Sequence, residues 1–305
     1  MKIANKLAEL TQAQRDRVAH IDFTLLFKGE ANRADLVDRF GVVAAQATKD
    51  FTLYRELAPS NIEYDQQRRI HLRGKGFSPL FEYDVVRTLA TISQGFGDGF
   101  TGSVKPNLAC EAPYHLNNPN LAVVAKVTEA IHKGLALRIS YVSLSSGESI
   151  REIVPHTLVD NGLRWHVRAF DRKQGLSGEP NGFRDFVITR IKQIELIEGD
   201  SASSKSVQEK ESESQDRQWN RFVELELVPH PSIEHQEAVL LDYGMNDGLL
   251  KVEIRAATAG YLLRLWNVDC SPEHTLVGPE YRLWLRNAQA LYGVNNLQIA
   301  PGTNA

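Results

Sequence analysis

Two stretches of this 305-residue chain are too polar or too broken to sit inside a core, and they decide how it divides. Residues 199–218, GDSASSKSVQEKESESQDRQ, are almost entirely Ser, Gln and charged residues. Such a segment buries too little to offset the entropy of ordering it, and reads as a flexible linker. Residues 95–120, GFGDGFTGSVKPNLACEAPYHLNNPN, gather Gly, Pro and Asn, which interrupt regular elements. The chain is therefore expected to fold as three units over residues 1–94, 121–198 and 219–305, joined by linkers at 95–120 and 199–218.

Composition narrows the class. With 42% hydrophobic and 24% charged residues, the chain can build cores without metals or disulfides. Cys110 and Cys270 lie far apart and outside any Cys-x-x-Cys spacing, which argues against a zinc site and fits a reducing compartment. The N-terminal MKIANKLAELTQAQRD lacks the apolar run of a signal peptide, and nothing approaches the ~18 apolar residues of a membrane helix. A soluble, cytoplasmic protein without a membrane partner is expected. The net charge of −3 does not advertise nucleic-acid binding by the whole chain. Its distribution says more: residues 1–80 carry 13 Lys/Arg against 10 Asp/Glu, and the remainder 22 against 28. A mildly basic head on an acidic body is compatible with local DNA contact.

The head reads as helices followed by a hairpin. Val18, Ile21 and Leu25 recur at helical spacing before Gly29. Asn32 caps a short helix with Leu36, Val37 and Phe40 inward, and Gly41 supplies a tight turn. A helix over Ala44–Leu57 follows, closed by Pro59, and then a hairpin in NIEYDQQRRIHLRGK. That order is a winged helix-turn-helix. A helix of about 14 residues spans roughly 21 Å and fits the major groove. Its inner face is Ala44, Ala47, Phe51, Tyr54 and Ala58; the opposite arc presents Ala45, Gln46, Thr48 and Lys49, with Arg55 further along. Gln pairs with adenine, and Ala or Thr touches a thymine methyl. Arg33 opens the preceding helix, where phosphate contact is favoured, and Arg68 and Arg69 sit at the hairpin tip. The competing reading is a plain three-helix subdomain with a solvated polar face.

The middle opens with a helix over Leu121–Lys133. Strand signals follow at Ala136–Leu144, Glu148–Pro155, Arg164–Phe170, Arg184–Thr189 and Lys192–Ile197, which suggests a small barrel or curved sheet. In GLRWHVRAFD, Trp165, Val167 and Ala169 fall on one parity and Arg164, His166 and Arg168 on the other. Tyr141 and Ser143, His156 after Pro155, and Arg190 at a strand end complete a set of basic and hydroxyl groups without a carboxylate base. Such a set suits an anion better than catalysis. The alternative is a solvated face whose arginines pair with Asp171, Glu148 or Asp185. The tail alternates strand and helix (Phe222–Val228, Ile233–Tyr243, Leu249–Ala256, Thr258–Trp266, then Tyr281–Leu291), which fits a small ferredoxin-like α+β module.

The phrases ALRISYVSLSSG, REIVPHTLVDNG, RWHVRAFD and FRDFVITRIKQIEL resemble the successive strands of a WYL domain. The family's Trp-Tyr-Leu is here Trp165-His166-Val167, so His166 replaces the tyrosine. In the head, VDRFGVVAAQATKDFTLYRELAP, NIEYD and FSPLF look like the winged helix-turn-helix of the WYL-domain transcriptional regulators found beside the BREX and CBASS anti-phage systems. The tail is similar to their C-terminal extension. The resemblance implies an α+β, multidomain protein with a Sm/SH3-like barrel in the middle. It also implies a homodimer, a double-stranded operator with an inverted repeat, and a nucleotide or oligonucleotide effector in the WYL pocket. The pocket candidates are Tyr141, Ser143, His156, His166, Arg168 and Arg190, with Trp165 in the core. His166 is expected to titrate near neutral pH.

Other signals are weak. His230 and His235 lack a third metal ligand. Glu224 and Glu226 share a strand face, and Asp247 with Glu253-Ile-Arg255 only echoes a nuclease pattern lacking its Lys. GFGDGF at 95–100 does not join a strand to a helix, and no phosphate-loop, Gly-x-Ser-x-Gly or His-Glu-x-x-His motif is present. No cofactor and no catalytic residue is assigned. A repressor of a phage-defence operon is the main expectation. The alternatives are a nucleic-acid-processing enzyme with an accessory WYL module, and a constitutive DNA-binding protein without ligand sensing.

Overall fold

The computed structural model describes residues 6–94, 116–175, 182–197 and 207–303. The GFGDGF stretch, Cys110 and the first part of the 199–218 segment lie outside the described residues. Helix α1 (Gln12–Lys28) starts at Thr11 in a capping box with Gln14 and stops at Gly29. A second capping box, Asn32 with Asp35, starts α2 (Arg33–Phe40). Gly41 ends it at φ 64°, a left-handed turn that costs a side-chain-bearing residue more than glycine. The chain then enters α3 (Ala44–Leu57). Val18, Ile21 and Leu25 of α1 pack on Leu36 of α2 and on Ala47, Phe51 and Tyr54 of α3. Ala44, expected inward, is exposed, and Asp50 takes the inner position. Its carboxylate is compensated by Arg17, at 2.7 and 3.3 Å.

The wing has a strand that periodicity did not disclose. Two-residue β1 (Glu30–Ala31) pairs with β3 (Ile70–Arg73), which pairs with β2 (Ile62–Asp65), giving the order β1-β3-β2. Buried Asp22 of α1 accepts hydrogen bonds from the Tyr54 and Tyr83 hydroxyls at 2.6 and 2.8 Å, and burial pushes its carboxyl pKa up. Helix α4 (Val85–Gln94) follows, and then α5 (Leu121–Lys133), capped by Asn120. Phe23 and Phe27 of α1 and Leu89 of α4 join Val124, Val127 and Ala130 of α5 in the core beneath the central sheet. Head and middle therefore share one apolar seam.

The central strands are β4 (Ala136–Ser143), β5 (Gly147–Asp160), β6 (Trp165–Asp171), β7 (Phe183–Val187) and β8 (Ile191–Ile197). A four-residue helix, α6 (Arg172–Gly175), follows β6. The sheet is antiparallel in the order β7-β6-β5-β4-β8. Among the described residues no pairing joins β7 to β8, so the strands do not form a closed barrel; a 3₁₀ turn, Ile188–Arg190, links those edges. β5 was expected to end at Pro155 but continues to Asp160. Its first half pairs with β4 and its second with β6. Pro155 pairs with Ala169 and Thr157 with Arg168, which leaves His156 out of register. A bulge is where a strand accommodates proline, which has no N–H to give the ladder.

From Val207 the expected linker is ordered. Two 3₁₀ turns, Glu209–Glu211 and Glu213–Gln215, lead into α7 (Arg217–Asn220). Composition misjudged this stretch because its cohesion is ionic: buried Glu211 accepts from Arg172 at 2.9 and 3.0 Å. The tail then runs β9 (Phe222–Pro229), α8 (Gln236–Asp242), β10 (Leu250–Arg255), α9 (Ala256–Leu265), β11 (Val268–Asp269) and β12 (Leu283–Leu285). Its sheet order is β10-β9-β12-β11, with β11 and β12 parallel. This corrects the ferredoxin-like expectation, since βαβαββ replaces βαββαβ. Two-residue β11 carries no periodic signal. The molecule is an α+β protein of several units, and no helix among the described residues is long and apolar enough to cross a membrane.

Candidate nucleic-acid interface and the basic central strand

Helix α3 has two different faces. Ala47, Phe51 and Tyr54 dock it, while Ala45, Thr48, Lys49, Thr52 and Arg55 form an exposed stripe. The stripe follows from i, i+3, i+4, i+7 spacing on a helix whose other side is buried. Arg33, first residue of α2, reaches Thr48 of α3 at 3.4 Å. Gln46 is half-buried, and its amide donates to Asp50 at 3.1 Å, so that group is tied to the Arg17–Asp50 pair. At the hairpin, Asp65 accepts from the backbone N–H of Gln67 and Arg68. Arg69 is exposed with φ 57°, and Arg68 pairs with Glu30 at 2.9 Å. Beneath this surface, His71 of β3 stacks on Phe51, with ring centroids 4.1 Å apart and planes 13° apart. Burial, helped by the charges of Arg55 and Arg33, lowers its pKa to about 4.

The basic row of β6 does not face solvent. Trp165, Val167 and Ala169 enter the central core as their parity required. Arg168, on the other face, is buried between two carboxylates. It donates to Asp216 twice, from Nε at 2.7 Å and Nη2 at 3.0 Å, and to Asp185 from Nη1 at 3.2 Å. The bulge at β5 aims His156 at the same Asp216, at 3.2 Å. Burial alone would raise the Asp216 carboxyl. The hydrogen bonds from His156 and Arg168 outweigh it and hold the group well below the usual carboxylate range. Asp216 also caps α7 by accepting from the Trp219 N–H at 3.1 Å.

His166 stacks on Tyr261 of α9 at 5.3 Å, and the Tyr261 hydroxyl donates to Asp185 at 3.0 Å. The His166 ring is buried, its Nδ1 has no hydrogen-bond partner, and burial lowers its pKa. That shift works against the expectation that it titrates near neutrality. Gly162, just before β6, is at φ 79°, and a Cβ there would fall 2.7 Å from Leu265 of α9. Arg164 and Arg190 both press on the His166 charge, and among the described residues neither guanidinium has an ion pair. Tyr141 is in the core, where its hydroxyl accepts from the Val187 N–H at 3.2 Å. Ser143 bonds to Ser145 and pairs with Gly147 at the hairpin end, whereas β6 meets β5 only from Ile153 onward. The structure thus gathers His156, His166, Arg168 and Arg190 around the β6 face and leaves Tyr141 and Ser143 apart.

Sequence reasoning missed Asp216 and Tyr261. The cap pattern Asp216-Arg-Gln-Trp219 was legible, but it lay in a segment dismissed on composition. It also missed a second joint. Arg73 of β3 donates to Glu129 of α5 at 2.5 Å and to the Leu26 carbonyl at 3.1 Å, and Lys133 donates to Glu129 at 2.7 Å. The weaker signals resolve as structural pairs. His230 is buried against Asp269 and Ser232, and Glu224 and Glu226 pair with Lys251.

Residues 13–94 match the BrxR transcriptional regulator winged helix-turn-helix domain, 122–196 the WYL domain, and 222–291 the BrxR transcriptional regulator C-terminal dimerization domain. Over 293 residues the chain is 31% identical to the DNA-binding transcriptional repressor CapW of Escherichia coli, covering 92% of this chain and 91% of that one. It is 32% identical over 267 residues to CapW of Pseudomonas aeruginosa, covering 84% and 83%. Against CapW of Stenotrophomonas maltophilia it is 31% identical over 299 residues, covering 90% and 92%.

Proposed function

This chain belongs to the CapW family of WYL-domain transcriptional repressors, and from that premise we propose that it is a homodimer that represses a phage-defence operon by binding an inverted-repeat operator. It is a regulator and not an enzyme. The observation that carries the reading is the exposed α3 stripe of Ala45, Thr48, Lys49, Thr52 and Arg55 on a helix whose opposite side is buried through Ala47, Phe51 and Tyr54. Gln46 stands at its edge. Arg33, Arg68 and Arg69 flank the stripe as phosphate contacts. Two heads related by a two-fold axis face two related half-sites.

The effector in this reading is a nucleotide or oligonucleotide at the β6 face of a barrel-like WYL sheet. His156, His166, Arg168 and Arg190, with Arg164 beside them, supply cations and a stacking surface. Arg168 reaches such a ligand only by leaving Asp216, and that exchange is the two-state element. An effector shifts it only if it binds the open form more tightly. The engaged state of Arg168 also suits a second reading, a constitutive DNA-binding protein whose middle unit is structural.

Sequencing the DNA fragments that the full chain retains tests the first reading. Two related half-sites in inverted orientation at a fixed spacing are expected, and enrichment of no motif or of a lone half-site would contradict it. Titrating short oligonucleotides and nucleotides against DNA-bound wild type and Arg190→Ala separates the two readings. Release by wild type alone supports an effector, and release by neither protein supports the structural role.

A further inference from the structure

We propose a second ligand site, outside the β6 face, in the cavity where the head meets the central sheet, and that it takes a phosphorylated nucleoside. The cavity has a volume of about 570 Å³, within the range of roughly 300–1,000 Å³ typical of small-molecule sites. Its elements come from both units: α1 and the end of α2 from the head, then α4, α5 and the bulged part of β5.

The lining has two chemistries. The floor is apolar and partly aromatic, with Phe23, Phe27, Ile92, Ile131 and Leu158. The rings of Phe23 and Phe27, packed 4.6 Å apart in the core, present only their edges, and the half-buried side chains of Ile92, Ile131 and Leu158 supply the accessible apolar surface for a planar group. The rim carries Lys28, Arg39 and the imidazoles of His20, His132 and His156; no carboxylate is among the lining residues, but behind the rim His132 meets Glu30 at 3.4 Å and His156 meets Asp216 at 3.2 Å. Among the described residues Lys28 has no hydrogen bond or ion pair. The Thr24 and Thr128 hydroxyls donate to backbone carbonyls, at 2.7 Å to His20 and 3.0 Å to Val124. Their lone pairs are left as acceptors inside the site.

A simple anion has no use for the apolar floor. A fatty acid has one charged end, whereas the basic groups here stand on four elements around the rim. A nucleotide satisfies both: a planar base over Ile92, Ile131 and Leu158, and several phosphate oxygens toward Lys28, Arg39 and the rim imidazoles. Of the residues assigned to the β6 face, the cavity shares only His156. Through it a bound phosphate touches the Asp216–Arg168 joint, while its base lies against α1 of the DNA-binding head.

Calorimetric titration of the full chain tests this with AMP, GMP, the 5′-phosphorylated dinucleotide pApA, adenosine and inorganic phosphate. The monophosphates report a free nucleotide, and the dinucleotide an oligonucleotide end. At least one phosphorylated nucleoside is expected to saturate, with adenosine and phosphate each at least about tenfold weaker. Lys28→Glu, and Ser93→Trp at the exposed rim, are each expected to weaken it by about tenfold or more. Arg190→Ala, on the β6 face, should leave it within about twofold. Lys28→Glu and Ser93→Trp sit at exposed positions, and a wild-type melting temperature verifies their fold. Absence of saturable binding by every phosphorylated probe overturns the site. So does binding that Arg190→Ala abolishes and both cavity variants retain, an outcome that would leave the β6 effector reading standing.

Discussion

Two strands of this molecule carry the same short phrase, His-x-Arg, and use it in opposite settings. In the wing it is His71-Leu72-Arg73 on β3, and in the centre His166-Val167-Arg168 on β6. In both, the imidazole is buried against an aromatic ring from another element, Phe51 or Tyr261, and its Nδ1 has no hydrogen-bond partner. In both, the arginine two residues on points into a neighbouring unit and meets a buried carboxylate, Glu129 or Asp216. The difference is closure. Asp216 and Arg168 are 2% and 7% exposed at their side chains, and Asp185, His156 and a helix cap complete the network. At the wing, Arg73 and Lys133 remain 26% and 28% exposed while sharing one carboxylate. The central phrase is a closed lock between sheet and tail; the wing phrase is a looser seam between head and centre.

The comparison breaks most sharply at the lock. Arg168→Ala leaves Asp216 and Asp185 buried with too few partners, and the expected loss is about 3–5 kcal/mol. Denaturant unfolding followed through Trp165 and Trp219 fluorescence measures it. Arg168→Met/Asp216→Leu is expected to recover part of the loss, since a packed apolar pair replaces an ion pair better than a half pair does. A cost below about 1 kcal/mol for Arg168→Ala would mean that the lock is not what holds the tail. At the seam, Arg73→Ala is expected to cost less, about 1–2 kcal/mol, because Lys133 still serves Glu129 and water reaches the site. Equal losses would erase the distinction.

The buried histidines add a pH test with a fixed sign. His71 has a folded pKa of about 4 against an ordinary value near 6.5, and His166 is shifted the same way. Between about pH 4 and 6.5 the unfolded chain holds a proton at His71 that the folded chain does not. Stability is therefore expected to fall as pH is lowered from about 6.5 toward 4, by up to about 1.4 kcal/mol per unit for His71, with His166 acting in the same direction. His71→Phe should flatten the slope of stability against pH, measured by denaturant midpoints across that range. An unchanged slope would mean that His71 is not held neutral.

Much of this was legible in the sequence where local chemistry decides. Asn32, Gly41 and Pro59 bracket helices that form close to where their caps place them. The parity of Trp165, Val167 and Ala169 named the buried face of β6. What failed was anything that depends on a distant partner. Asp216 looked like linker because its partner stands 48 residues earlier. His166 looked titratable because nothing in its neighbourhood announces Tyr261, 95 residues on, in α9. β5 seemed to stop at Pro155 because the bulge that admits it is set by register against β6.

The central claim is that DNA is met by the α3 stripe and wing, while the β6 cations hold the protein together. Operator-duplex anisotropy measured across a salt series tests it directly. Each phosphate contact contributes about 0.9 to the slope of log affinity against log salt, so Lys49→Ala/Arg68→Ala, which removes two contacts from each of two heads, should weaken binding and lower the slope by about 3.6. Arg168→Met/Asp216→Leu should keep the wild-type slope. An unchanged slope in the first variant with a flattened slope in the second would place the nucleic-acid surface on β6 and contradict this account.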